Sequence, residues 1–238
     1  MRVILAEKPD MGRQIAAALG NGKHRNGFIE LNNGDVVTWA IGHIVRLKTP
    51  DAYPQYKEWR LDTLPIIPDP MMIEIDPDKK QQFKVIKELL DKADCCVIAT
   101  DPGREGEHIG RTIIAACGFK GKLLRLWIDD LTPATIREGF QRLKDGSETI
   151  HLAESAKVRA YADYWMGFTA TRLFTLAAQE VTNERTILSA GRVQTPTLRI
   201  VYDREMAIEK FVPQPFYLVV ADMMTASGGA YKAQWFKE

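Results

Sequence analysis

One stretch of the sequence decides the fold: Cys95-Cys96-Val97-Ile98-Ala99-Thr100-Asp101-Pro102-Gly103-Arg104-Glu105-Gly106-Glu107. Its first six residues are mostly apolar, which is typical of a buried β-strand, and its last seven place a cluster of acids directly after that strand. Proteins with parallel sheets keep their chemistry at the carboxyl ends of the strands. The stretch therefore predicts a strand of an α/β sheet that leads into a functional loop.

A second strand ends in a similar way. The run from Met1 to Ala6 is apolar apart from Arg2, and Glu7 and Lys8 follow it directly. Carboxylates that converge from two strand ends supply the oxygen ligands that Mg2+ prefers. The two loops thus indicate a shared magnesium site, with Asp101, Glu105 and Glu7 as its ligands.

The acids of the first stretch also have an interpretation that needs no function. Asp101 would cap the helix that follows, and Glu105 and Glu107 would complement the positive end of the helix dipole. Taken alone, the acids leave both interpretations open.

The composition is that of a globular protein without a strong net charge. The chain has 238 residues, 45% of them hydrophobic, with 32 basic and 31 acidic side chains. A polyanion would therefore have to bind at local basic patches. No stretch of the sequence approaches the roughly 20 apolar residues that cross a bilayer, and no signal peptide is visible, so a cytoplasmic protein is expected. The three cysteines lack metal-site spacing and are expected to be buried thiols.

The first two thirds of the chain alternate strands with helices, which is the pattern of a mostly parallel sheet covered by helices. Helices are predicted over residues 9–20, 78–92, 105–117 and 133–144, and further strands over 28–31, 36–40 and 123–127. Residues 48–72 are rich in proline and aromatic side chains, and they predict a long irregular excursion pinned to the body of the protein.

The expected fold class is α/β, and the chain is expected to have three parts. A break at Asp145-Gly146-Ser147 separates an α/β domain, residues 1–148, from a helical segment, residues 149–212. Within that segment, 151–180 predict one long helix or two, and 191–210 predict another. Residues 213–238 predict the opening hairpin of a third region without partner strands, so a fragment of a longer protein is expected.

Three motifs taken together resemble those of the type IA DNA topoisomerases, most closely the topoisomerase III branch. They are Ala6-Glu7-Lys8-Pro9, Arg104-Glu105-Gly106-Glu107 and Gly191-Arg192-Val193-Gln194-Thr195-Pro196. The segment from Tyr164 to Thr175 also resembles the helical region that binds single-stranded DNA in this family. The resemblance covers essentially the whole chain, and it implies that residues 1–148 are a Toprim domain and residues 149–212 part of the helical DNA-binding domain.

The resemblance also implies roles for individual residues. Glu7 would shuttle the proton to the leaving 3′ oxygen, Lys8 would help to neutralise the scissile phosphate, and Asp101 and Glu105 would hold Mg2+ as the cofactor. The residues implied to contact single-stranded DNA are Arg159, Asp163, Arg172, Arg192, Gln194 and Thr195. Arg159 with Asp163 is equally compatible with an exposed helical ion pair, and Arg172 with an ion pair between domains.

The chain departs from the family pattern at two points. Gly103 stands where the family carries a second Asp, which predicts weaker magnesium binding. None of the seven tyrosines lies in the context of the family's nucleophile, so this chain alone is not expected to form a covalent phosphotyrosine intermediate. Two alternatives stay open: a non-catalytic Toprim relative that binds single-stranded DNA, and another Toprim enzyme, such as a primase or nuclease, which has no use for the motif at residues 191–196.

Overall fold

The computed structural model of the protein describes residues 1–20, 22–183 and 186–236. The strands are β1 (Arg2–Ala6), β2 (Gly22–Arg25), β3 (Phe28–Leu31), β4 (Val36–Trp39), β5 (Val45–Leu47), β6 (Ile73–Ile75), β7 (Cys95–Ala99), β8 (Lys122–Arg125), β9 (Lys144–Asp145), β10 (Val220–Met224) and β11 (Ala230–Gln234). The α-helices are α1 (Pro9–Ala18), α2 (Lys80–Leu90), α3 (Arg104–Ala116), α4 (Pro133–Gln141), α5 (Ile150–Thr182) and α6 (Gln194–Glu209). The chain divides into two compact units, residues 1–192 and 193–238.

A seven-stranded sheet forms the centre of the first unit, in the order β2-β3-β4-β1-β7-β8-β9. Its four inner strands are parallel to one another. The strands β2 and β3 on one side and β9 on the other are added by antiparallel pairing. The α/β fold with a parallel central sheet is therefore confirmed, as are the predicted strands β3 and β4 and the four helices that follow or separate the strands.

Alternate side chains of β1 enter two separate cores, as the two faces of a strand require. Val3 and Leu5 belong to a core with residues of α2 and α3. Ile4 and Ala6 belong to a core with residues of α1 and α4. Burial on both faces explains why β1 reads as a continuous apolar run rather than as an alternating one.

The register of β1 against β7 decides where the two acid loops meet. Ala6 lies opposite Ala99 in this parallel pair. The residues that come next, Glu7 on one strand and Thr100 on the other, therefore leave the sheet side by side at its carboxyl edge. The loop with Asp101 and the loop with Lys8 are brought together by this register.

The region after the sheet begins with one long helix rather than two. The turn before it contains a capping box in which Asp145 and Glu148 bond to each other's backbone amides. Helix α5 then runs for 33 residues to Thr182 and is followed by Asn183, which adopts a left-handed conformation with φ of 56° and caps the helix. Helix α5 packs along α3. The predicted boundary near residue 148 thus falls inside the first compact unit, and the three-part division of the chain stays a prediction.

The excursion over residues 48–72 is irregular, as predicted, and contains three short 3-10 helices, Pro50–Ala52, Pro54–Tyr56 and Leu61–Thr63. An aromatic side chain pins it from within, because Tyr53 is buried and its hydroxyl accepts a hydrogen bond of 2.6 Å from the Met72 amide. A second bond joins it to α5, where the Thr169 hydroxyl accepts from the Ile66 amide at 3.0 Å.

The second unit consists of α6 and a two-stranded antiparallel hairpin of β10 and β11. The predicted helix and hairpin are both confirmed, and the first strand of the hairpin, β10, begins at Val220. Among the residues that the structure describes, no helix is long and apolar enough to cross a membrane.

Candidate functional site

Two acids and a lysine meet at the carboxyl edge of the sheet. The Glu7 Oε2 atom accepts a hydrogen bond of 3.2 Å from the Asp101 amide. The Lys8 Nζ atom lies 3.3 Å from Asp101 Oδ2 and 3.8 Å from Glu7 Oε1. The hydrogen bond and negative charge of Asp101, followed by the charge of Glu7, raise the pKa of the Lys8 amine. The Lys8 ammonium ion therefore compensates the charges of both carboxylates. The Glu7 side chain is mostly buried.

The turn from Asp101 into α3 needs glycine at two positions. Gly103 precedes the helix with φ of 137° and ψ of 178°, a region of backbone conformation that is essentially restricted to glycine. Gly106 lies so close to the turn that a Cβ atom there would be 2.1 Å from the Asp101 carbonyl oxygen. The Thr100 hydroxyl donates to the Gly106 carbonyl at 2.8 Å and holds the two ends of the turn together.

The predicted set of three magnesium ligands is not assembled. Glu105 is turned toward the loop after β4, where its Oε1 atom lies 2.9 Å from His43 Nε2. Within residues 1–20, 22–183 and 186–236, no group of three or more His, Cys, Asp or Glu side chains is arranged to hold a metal ion. Glu105 contacts His43, whereas Glu7 and Asp101 contact Lys8, so Glu105 does not join the other two acids.

The last acid of the loop, Glu107, lies inside the protein rather than at the site. It is fully buried and forms an ion pair with Arg125, which is also fully buried. Burial lowers the pKa of the Arg125 guanidinium, and the charge of Glu107 opposes this shift. Sequence reasoning did not identify this pair. The signal was present in the strand Leu123-Leu124-Arg125-Leu126, because an arginine within a buried strand needs a buried acid as its partner.

Three of the six predicted DNA-contacting residues lie together. Asp163 receives Arg192 Nη1 at 3.0 Å and has Arg159 Nε at 3.7 Å, so one acid joins two arginines from different parts of the chain. All three side chains are between two fifths and two thirds exposed, which leaves their charges accessible to a ligand. The exposed helical pair of Arg159 and Asp163 is therefore present, and it is compatible with DNA contact. Gln194 and Thr195 begin α6 in the second unit.

Arg172, which was predicted to contact single-stranded DNA, lies in an enclosed position, and its predicted role stays untested. Its side chain is buried, and Nη1 donates to the carbonyl oxygens of Tyr56 at 2.6 Å and Glu58 at 3.2 Å. Its Nη2 donates to Asp51 Oδ1 at 3.2 Å, and its guanidinium lies 5.1 Å from the centre of the Trp59 ring. A guanidinium that is enclosed in this way favours the ion-pair alternative, in which Arg172 attaches the excursion to α5.

A groove of about 890 Å³ lies beside Arg159 and Asp163, within the first unit. Small apolar side chains from α3 and α5 line part of it: Ala115, Ala116, Ala153, Ala156 and Ala160. Its basic side chains are Arg46, Arg111, Lys157 and Arg159, and its acids are Glu105, Glu154 and Asp163. The groove therefore extends from Glu105, next to the acid loop, to the Arg159 and Asp163 pair on α5.

Two families match the chain over adjacent segments. Residues 2–130 match the family described as Toprim domain, and residues 147–238 match the family described as DNA topoisomerase. DNA topoisomerase 3 of Shouchella clausii is 42% identical over 221 residues, and that of Bacillus subtilis is 44% identical over 220 residues. The chain belongs to the type IA DNA topoisomerases, in the topoisomerase III branch.

The matched topoisomerases are longer than this chain. The alignments cover 92% and 90% of the chain but only 29% of each of these two relatives. Full-length topoisomerase I of Thermotoga maritima is similar in structure, with a TM-score of 0.61 and 25% identity, over 94% of this chain and 33% of that one. The match of residues 147–238 to DNA topoisomerases also removes the reason to prefer a primase or a nuclease.

The aromatic side chains of the topoisomerase helix α5 are packed rather than free. Tyr164 is buried, and its ring centre lies 4.6 Å from that of Phe168. Burial raises the pKa of the Tyr164 hydroxyl. Trp165 is half-buried, with its ring centre 5.9 Å from that of Tyr161. These contacts favour a packing role for Trp165 and Tyr164 over stacking on bases.

Proposed function

We propose that this chain supplies the Toprim part of the active site, and part of the DNA-binding groove, of a topoisomerase III-like enzyme. Such an enzyme cuts one DNA strand transiently and passes DNA through the break. The observation that carries the proposal is the meeting of Glu7, Lys8 and Asp101 at the edge of the sheet, in a chain that belongs to this family.

The proposed chemistry divides between the two residues that follow β1. Lys8 keeps a protonated ammonium because Asp101 and Glu7 favour its charged form, and this charge neutralises a phosphate oxygen of the scissile group. As the proton shuttle, Glu7 would first take up a proton, give it to the 3′ oxygen as the bond between that oxygen and phosphorus breaks, and take it back when the bond forms again on religation. Its carboxylate is oriented by the Asp101 amide, so the proton is delivered from a defined position.

The donor set fits Mg2+ with two protein ligands. Glu7 and Asp101 already share one cation, the Lys8 ammonium, and Mg2+ commonly binds one or two carboxylates with water and phosphate oxygens as its other ligands. We assign Glu7 and Asp101 to this role, and Glu105 joins them only if it leaves His43. When bound, Mg2+ would supply further charge stabilisation to the phosphate. The weaker binding expected from Gly103 stays a prediction.

Single-stranded DNA is the proposed ligand of the groove. Arg159 and Arg192 supply phosphate contacts, and Asp163 holds both guanidinium groups in place. Gln194 and Thr195 are proposed as further contacts from the start of α6. The nucleophilic tyrosine is proposed to be none of the seven in this chain, so the chain by itself binds DNA without forming a covalent intermediate. The cytoplasmic location stays a prediction as well.

A second candidate function is binding of single-stranded DNA without any part in cleavage. The contact of Glu105 with His43, together with the absence of a carboxylate at Gly103, favours this alternative, because both reduce the number of ligands available to a metal. The two candidates agree on the groove and differ in their response to magnesium.

The test is the binding of a fluorescent single-stranded oligonucleotide, followed by anisotropy over a range of salt concentrations. Each lost phosphate contact should reduce the slope of log K against log salt by about 0.7. We expect this reduction in Arg159→Ala and in Arg192→Ala. Arg25→Ala is the matched control, because Arg25 also forms an exposed ion pair but lies on β2 at the outer edge of the sheet.

Three results would contradict parts of the proposal. Absence of binding at low salt would exclude both candidate functions. An equal loss of slope in Arg25→Ala would show that binding does not use the groove. Finally, the non-catalytic candidate would be favoured if Mg2+ at constant ionic strength changed the affinity for the oligonucleotide neither in the wild type nor in Lys8→Ala.

A further inference from the structure

A buried ion-pair network lies directly beneath the acid loop, and the proposed chemistry does not use it. It consists of Arg125 on β8 and Glu107 on α3, both fully buried, and Arg111 one turn further along α3. We propose that these three are positioning residues that fix the Asp101 turn and connect it to the start of α5. This inference rests on the proposed function, since it concerns the turn that orients Glu7.

The side chain of Arg125 contacts backbone carbonyls of the turn. Its Nη1 donates to the carbonyl oxygens of Thr100 at 2.8 Å and Ile98 at 3.2 Å, and also to that of Leu126. Its Nη2 donates to the Asp101 carbonyl at 2.8 Å. The carbonyls of Thr100, Asp101 and Leu126 follow the ends of two adjacent strands, whereas the Ile98 carbonyl also accepts from the Leu126 amide at 2.9 Å. The planar guanidinium has a fixed arrangement of donors, so it determines where the Thr100 and Asp101 peptides lie.

The position of Arg125 depends in turn on Glu107. Burial of an unpaired guanidinium is strongly unfavourable, and the Arg125 Nε donates to Glu107 Oε1 as its charged partner. Glu107 lies in the first turn of α3, directly after Gly106, where the helix approaches the Asp101 carbonyl too closely for a side chain. The carboxylate and the turn are therefore held by the same short segment of chain.

Arg111 extends the network to the helical segment. Its Nε donates to Glu107 Oε2 at 2.8 Å, and its Nη2 donates to the Gly146 carbonyl and, at 3.2 Å, to the Thr149 hydroxyl. Gly146 and Thr149 form the turn immediately before α5, the helix that carries Arg159 and Asp163. A continuous series of hydrogen bonds thus joins the turn at the candidate active site to the first residues of the helix that borders the groove.

The test is amide hydrogen exchange measured by NMR on the whole chain, without DNA or metal. The reporter is the Asp101 amide, which donates to Glu7, and the reference is the set of Val3, Ile4 and Leu5 amides in β1. Arg125→Lys keeps a positive charge for Glu107 but loses the planar fork. We expect exchange at Asp101 to become at least about tenfold faster, while exchange in β1 changes less than about twofold.

Arg111→Gln tests the connection separately and keeps the test decisive if Arg125→Lys does not fold. Its side chain is close to the surface, and the pair of Arg125 with Glu107 remains. We expect exchange of the Thr149 and Ile150 amides to become about tenfold faster, and exchange at Asp101 about threefold faster, with β1 unchanged. Arg60→Lys, which alters an exposed arginine pair, is the control and should change neither site.

Two outcomes would overturn the inference. If Asp101 and β1 exchange accelerate by the same factor in Arg125→Lys, the network contributes only to global stability. If Arg111→Gln leaves Asp101 exchange unchanged, the turn is not connected to α5. Because this experiment needs no ligand, its failure would leave DNA binding by the groove intact, and loss of DNA binding in the groove variants would leave this result intact.

Discussion

Replacement of Arg172 separates a tether from a DNA contact more clearly than any other single change in this chain. In the structure, its guanidinium donates to two backbone carbonyls of the excursion and to Asp51. Arg172→Ala removes these donors and leaves the carbonyl oxygens of Tyr56 and Glu58 without this partner. We expect the excursion to loosen and the free energy of unfolding of the first unit to fall.

The magnitude of this loss follows from the individual contacts. A hydrogen bond to a charged group contributes about 1.5–3 kcal/mol, and two such bonds reach carbonyl oxygens here. The ion pair adds less than about 1 kcal/mol, because the Asp51 side chain is 63% exposed. Opening of the excursion returns the carbonyls to water and offsets part of the loss. We therefore expect Arg172→Ala to lower the free energy of unfolding by about 2–4 kcal/mol, and Asp51→Asn by less than about 1 kcal/mol.

Two measurements on each variant test this expectation. Urea unfolding followed by tryptophan fluorescence reports stability, and limited proteolysis with mass spectrometry reports new cleavage within residues 48–72. Arg172→Met is the matched variant, since it keeps an unbranched apolar side chain while losing every hydrogen bond. It should lose nearly as much stability as Arg172→Ala, because the hydrogen bonds rather than the stem carry most of the effect.

Binding of single-stranded DNA then decides between the two roles. A tether leaves the salt dependence of binding unchanged in conditions where the variant is folded, whereas a phosphate contact reduces its slope by about 0.7. If Arg172→Ala kept full stability and reduced this slope, the reasoning from burial would be refuted and Arg172 would be a DNA contact.

Three further predictions concern Gly103, the cap residue Thr132 and the three cysteines. Gly103→Ala and Gly103→Asp should each lower the free energy of unfolding by about 1–3 kcal/mol, because the positive φ there is unfavourable for any side chain. The same two variants test the metal site by calorimetry. Tighter Mg2+ binding by the Asp variant than by the Ala variant would show that position 103 lies in the metal site, and equal affinities would exclude position 103 from it. Thr132→Ala should lower the free energy of unfolding by about 1 kcal/mol, since the hydroxyl caps α4. A loss below about 0.3 kcal/mol in urea titrations is too small for the removal of a cap and would show that the hydroxyl does not stabilise the helix. Burial raises the pKa of the thiols of Cys95, Cys96 and Cys117, so a thiol reagent at pH 8 should modify them much more slowly in the folded chain than in urea; rapid modification of Cys96 in the folded chain would contradict its burial.

Local sequence patterns were sufficient for much of the fold. The apolar runs of β1 and β7 are short and uninterrupted, and each ends at a residue that cannot be buried without a partner, so the strands and their ends were predictable. Helix α4 was equally clear, because Thr132 and Pro133 are the residues that begin helices. The family motifs added the expectation that the helical segment binds DNA, which composition alone does not suggest.

The boundaries between larger parts were less predictable. The break around Gly146 marks the end of a local pattern, yet α5 packs along α3, so the first compact unit continues to Arg192. Local composition reports where an element stops, whereas the extent of a compact unit depends on contacts between elements far apart in the chain.

The sequence by itself determined that Glu7, Lys8 and Asp101 each follow a strand, because strand periodicity and the order of elements are local properties. Only the tertiary structure decided which of the acids stay at that edge. Glu105 turns to His43, Glu107 turns inward to Arg125, and the guanidinium of Arg172 closes over the excursion. The partner of a charged side chain depends on which residues folding brings within a few ångströms and on how much water remains there, and neither is contained in the local pattern.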